Sequence, residues 1–268
     1  MKRDKGPERG RKENGQRSGD RGRYGKLSRE RVLATALGLV DREGLSALSM
    51  RRVGAELGVE AMALYRYAPS KDALLDGLVE ALFIELEEYL AAPATAPAPA
   101  PAATAVVGGA DAAATAVDPF AEGPEWRAEL HRIAQATYQV ALAHPQVVPL
   151  LATRMLAVPL ARRPLAVLKD HEHVLALLDQ AGLDENEASL AFRAFTSWVL
   201  GYIFVELRAM VDNPDESDPA FRLGLHRMPV QELPRLREAA PALAEHGGPQ
   251  GLAAGLDALL GRFTQEAR

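Results

Sequence analysis

Residues 91–119 read AAPATAPAPAPAATAVVGGADAAATAVDP. Five prolines and no aromatic fall within these 29 positions. Such a composition buries too little to fold and reads as a flexible Ala/Pro linker with some polyproline II character. A structureless segment of that length sits badly inside a compact unit, so it is expected to loop into solvent. The folded chain must therefore be assembled from the residues on either side.

Both sides carry helical periodicity. Val32, Leu33, Ala36, Leu39 and Val40 fall at helical spacing behind Ser28, a capping residue type, and Gly44 supplies a stop. Ser49 can cap a second, short helix with Val53 and Leu57 on its inner face. Gly58 breaks it, and a third short helix is expected over Glu60–Tyr67, ended by Pro69. Ser70 caps a fourth running to about Leu90, with Leu74, Leu78, Leu82 and Leu86 four residues apart.

Beyond the linker, Pro124 opens a helix that ends at His144-Pro145. A short helix over Gln146–Ala152 and another over Pro164–Gln180 follow. The longest is expected from Asp184 to about Val211, apolar nearly all round and so buried on more than one side. Glu232–Leu243 and Pro249–Glu266 complete the set, and no stretch reads as a strand. The expectation is an all-α chain.

Charge is split along the sequence. Residues 1–31 carry twelve Lys/Arg against five Asp/Glu, +7 within a chain whose total is −5. Residues 1–26 are too polar to fold and read as a disordered basic arm suited to a polyanion. There is no cysteine, hence no disulfide, thiolate metal site or thiol nucleophile. No apolar run approaches the ~18–20 residues of a membrane span, and the basic N-terminus lacks the apolar segment of a signal peptide. A cytoplasmic protein is expected. The sequence has no Gly-rich phosphate loop and no Gly-x-Ser-x-Gly elbow. His171 and His173 are two apart and point away from each other on a helix. Neither an enzyme, a cofactor nor a metal is expected.

Two short helices joined at Gly58 and preceded by a longer one form a helix-turn-helix, whose second short helix enters the DNA major groove. Residues 27–78, LSRERVLATALGLVDREGLSALSMRRVGAELGVEAMALYRYAPSKDALLDGL, resemble the DNA-binding domain of the tetracycline-repressor (TetR) family, ungapped and in order. EWRAELHRIAQATYQVALAHPQVVPLLATR, SWVLGYIFVE and GLAAGLDALLGRF resemble the helical domain of its tetracycline-repressor-like branch. The basic arm and the Ala/Pro insertion depart from it.

The resemblance implies that Tyr65, Tyr67 and Lys71 touch phosphates, that Ser49, Met50 and Arg51 begin the second helix with phosphate and base contacts, and that Ala61, Met62 and Ala63 face bases. Arg66 is available beside them. A phenol donates to a phosphate and an ammonium neutralises one. Arg51 could bridge guanine O6 and N7, whereas Ala61, Met62 and Ala63 can touch thymine methyls but read little by hydrogen bonding.

The helical domain is expected to dimerise and to sense a ligand. Two apolar helices from each of two subunits would make a four-helix bundle through Leu200, Phe204, Leu252, Leu256, Leu259 and Phe263. His144, Thr153, Arg154, His173, Phe195, Trp198 and Tyr202 are candidate ligand contacts. The expected divisions are an arm (1–26), a helix-turn-helix domain (27–73), a connecting helix (74–90), a linker (91–119) and a ligand-binding and dimerisation domain (120–268). The expected function is a repressor that leaves a palindromic operator when a small molecule binds; the alternative is a non-specific architectural protein.

Overall fold

The computed structural model describes residues 27–92, 124–212, 232–244 and 247–266. The expected arm and almost all of the expected linker lie outside the described residues. Within them the chain is helical, with no strand. Helix α1 spans Arg29–Glu43, α2 Met50–Leu57, α3 Ala61–Leu64 and α4 Lys71–Ala91. Then follow α5 (Glu125–Ala143), α6 (Val148–Ala157), α7 (Leu165–Gln180) and α8 (Glu185–Asp212). Helices α9 (Pro234–Ala244) and α10 (Gly248–Glu266) close the order.

Local chemistry sets the first boundaries. The hydroxyls of Ser28, Ser49 and Ser70 accept from the backbone N–H groups of Arg31, Arg52 and Ala73 at 3.2, 3.2 and 3.0 Å. Each thus satisfies one donor that a helix start leaves unpaired. Gly58 ends α2 in the left-handed region at φ 67, a conformation cheap only for glycine.

Two apolar clusters fill the molecule. The first joins Val32, Leu39, Val53, Leu64, Leu74 and Leu78 to Val140, Leu150 and Val167. The core of the DNA-binding helices is thus continuous, along α4, with the near faces of α5, α6 and α7. A Cβ on Gly77 would meet the methyl Cδ2 of Leu33, so its absence lets α4 lie against α1. The second cluster joins Leu130, Tyr138, Leu178, Phe195, Ile203, Leu252 and Leu256, from α5, α7, α8 and α10.

By length and composition alone, Glu185–Leu207 could cross a membrane, which corrects the expectation that no such run exists. On this helix Phe195, Val199, Ile203 and Leu207 are buried in the second cluster, while Leu190 and Val205 are exposed.

Candidate nucleic-acid interface

Helices α2 and α3 are held by a close approach. The Cα of Gly54 lies so near the turn that an added Cβ would stand 2.8 Å from the Val59 carbonyl oxygen. Val53 and Leu64 are fully buried beneath the two helices. The opposite side is open. Met62 is 74% exposed, and Tyr65, Arg51, Arg66 and Lys71 are exposed with it. Ala61 and Ala63 are half-buried. Lys71 is the first residue of α4, where unpaired N–H groups favour an anion.

The arginines of this region divide into two sets. Arg52 is tied to Glu43 of α1 by contacts of 2.5 and 2.6 Å, and Arg42 to Glu56 at 3.1 Å. Arg51, Arg66 and Lys71 have no ion-pair partner among the described residues. The paired arginines brace the unit; the others are free to meet phosphate or base.

Three expected DNA contacts are placed differently. Met50 is only 8% exposed and packs in the core, so its side chain is corrected from contact to filler. The Ser49 hydroxyl is occupied as the α2 cap. Tyr67 is half-buried, and its hydroxyl donates to the Leu27 carbonyl at 2.7 Å. That bond fastens the chain entering α1 to the end of the recognition helix, leaving Tyr65 as the more exposed phenol.

In the helical domain most of the seven candidate ligand residues have partners within the chain's own fold. His144 has Asp41 and Glu85 at 2.8 and 2.9 Å. Arg154 holds Asp76 at 2.8 Å and Asp72 at 3.2 Å. The Thr153 hydroxyl donates to Pro149 O of its own helix, and exposed His173 lies 3.4 Å from Glu129. Phe195 is core. Trp198 and Tyr202 donate to the backbone oxygens of Leu252 and Gly248 at 3.0 and 2.8 Å. Burial, with smaller contributions from Glu206 and Tyr138, pushes the Tyr202 phenol up to about 12, so it stays a donor. A shallow cleft between α4, α6 and α7 is lined by Asp76, Val79, Arg154, Val158 and Val167; of the seven, Arg154 alone reaches it.

Of the expected dimer residues, Leu252 and Leu256 are 0% exposed. They are core of their own chain, a correction that follows from α10 packing on α8 and α5. Leu200, Phe204, Leu259 and Phe263 are half-buried. Asp41, Asp72, Asp76 and Glu85 have no signal in the sequence, because an acid on a helix surface carries no motif.

A helix-turn-helix with an open recognition face, carried on an all-helical domain, defines a DNA-binding regulator. Residues 32–78 match the family of bacterial regulatory proteins, tetR family, and residues 119–260 match the tetracyclin repressor-like C-terminal domain. The chain belongs to the tetR family of transcriptional regulators, which are not enzymes. It is 28% identical over 219 residues to an HTH-type transcriptional regulator of Saccharopolyspora erythraea, covering 81% of this chain and 74% of that one. It is 31% identical over 175 residues to the HTH-type transcriptional repressor DrrR1 of Streptomyces coeruleorubidus, covering 65% of this chain and 52% of the repressor. In fold it resembles the Streptomyces coelicolor TetR family protein ActR, solved in complex with actinorhodin, with TM-score 0.63, 23% identity and coverage of 90% and 98%.

Proposed function

We propose that this chain is a cytoplasmic, sequence-specific repressor that binds a palindromic operator as a homodimer and is released by a small molecule. The observation that carries the reading is the division of cations around α2 and α3. Arg42 and Arg52 are spent on α1 and α2 carboxylates, while Arg51, Arg66 and Lys71 stand open around exposed Met62 and Tyr65. Arg51 would read a base edge; Tyr65 and Lys71 would fix register on phosphates.

Dimerisation is supported by what α8 and α10 leave uncovered. Ser197, Gly201 and Val205 on α8 and Ala254 and Ala258 on α10 are exposed, Val205 to 73%. Small side chains there allow close approach of a second pair of helices. A twofold dimer would present two recognition helices to two half-sites.

Ligand response is supported by likeness to ActR, whose structure holds actinorhodin, and repression by likeness to DrrR1. An effector that favours a different setting of α4 would lower operator affinity by the same coupling free energy. The reading is tested by recovering genomic fragments bound by the full chain, then competing the recovered duplex against random DNA. A palindromic fragment bound well above random duplex is expected. Equal affinity for every duplex would replace the reading with that of a coating protein.

A further inference from the structure

His144 stands at the corner between α5 and α6. Its Nδ1 lies 2.8 Å from Asp41 Oδ2 on α1, and its Nε2 lies 2.9 Å from Glu85 Oε2 on α4. Ionised carboxylates only accept, and a neutral imidazole has one N–H to give. Both contacts are hydrogen bonds only when the ring is an imidazolium. Burial works against that charge, but hydrogen bonding and attraction from Asp41 and Glu85 outweigh it and push the His144 pKa up to about 9. These two carboxylates, one from each packed helix, are the charged groups that face it. The other Asp41 oxygen, Oδ1, is buried with no hydrogen-bond partner among the described residues. Asp41 therefore relies on His144.

The two carboxylates belong to functionally different helices. α1 shares its core with α2 and α3, while α4 continues into the cluster formed with α5, α6 and α7. We propose that His144 is a positioning residue for operator binding, a cationic rivet that fixes the attitude of the DNA-binding helices against the helical domain and so sets the half-site spacing a dimer accepts. It touches no DNA and no effector. The inference rests on the dimeric, palindrome-binding reading given above.

The test uses the full-length protein and the operator duplex recovered from the genome, together with versions carrying one base pair more or fewer between the half-sites. The wild type is expected to prefer the native spacing. His144→Gln, which keeps bulk and polarity but cannot become a cation, is expected to lose that preference while keeping its choice of bases within a half-site. The wild-type preference should fade as pH rises through about 9, and His144→Gln should show no such step. Should His144→Gln fail to fold, Asp41→Asn makes the same comparison, because it keeps shape and removes one charge of the pair. A folded variant with wild-type spacing preference overturns the rivet, whatever its thermal stability. A wild type that accepts all spacings alike removes the dimeric reading, and the rivet with it.

Discussion

Met50 and Met62 end on opposite sides of one small unit, the first 8% and the second 74% exposed. Sequence spacing does not separate them, because the faces of a four-residue helix are set by what it packs on and not by its own period. The acidic partners are hidden for a related reason: Asp41 and Glu85 matter through a histidine far along the chain. Lys71 is legible, standing directly after a capping serine. Lys71→Ala is expected to weaken binding to operator and random duplex alike and to lower the slope of log K on log salt by ~0.9; a weakening confined to the operator would remove the phosphate role. Asp170 is not legible. Burial, helped by Glu87, raises its pKa from 3.8 to about 6. Folding therefore favours its protonated form, and that advantage is present below pH 3.8 and gone as pH rises through about 6. Asp170→Asn should accordingly stabilise the protein at pH 7 by about 1–3 kcal/mol and change little at pH 4, measured by thermal unfolding in both buffers.

Among the elements, those with chemical punctuation are read from sequence most closely. Ser28, Ser49, Ser70 and Gly58 mark the starts and stop of α1, α2 and α4 where expected. The third helix is expected to reach Tyr67 but ends at Leu64; residues 65–67 continue as turns in which the Tyr67 and Ala68 N–H groups both donate back to the Leu64 carbonyl. The short helix after His144 runs to Ala157, past its expected end; no stop residue lies between, and only packing against α8 and α4 decides its length. The role of Gly54 also needs coordinates, because a glycine inside a helix shows nothing of what lies opposite. Gly54→Ala should destabilise the fold by about 1–3 kcal/mol, since the obstructing atom is backbone and yields little; an unchanged unfolding midpoint would contradict the close approach. The arm is joined where Tyr67 holds Leu27, beside the recognition helix. Deleting residues 1–26 should flatten the salt dependence by ~0.9 for each phosphate that the arm neutralises, with affinity for operator and random DNA falling by similar factors. An unchanged slope would make the arm a solubilising tail, and a collapse of discrimination would make it a reader of sequence.

For the whole molecule, the two-part architecture can be read from sequence, while the surface through which two copies would meet cannot. Apolar spacing on α10 marks Leu252 and Leu256 as inward-facing but not whose interior they face. Those leucines lie in the chain's own core, so an aspartate at Leu256 should unfold the protein and not merely part a dimer. The better probe is Gly201, where an added Cβ meets nothing within 4 Å in the chain's own fold. Gly201→Arg is expected to keep the helical circular dichroism and unfolding midpoint of the parent while shifting its sedimentation at micromolar concentration from dimer to monomer. A variant still dimeric would exclude that face. One consequence follows from Gly255, where a Cβ would collide with the Trp198 ring and whose bareness lets the indole lie on α10 while its N–H meets Leu252 O. Only two tryptophans occur in the chain, Trp126 and Trp198. With Trp126→Phe in place, the emission colour of the remaining indole becomes an optical gauge of the seam between α8 and α10. Any added molecule that pries those helices apart and wets the ring would announce itself as a red shift, with no DNA in the cuvette and no label on the protein.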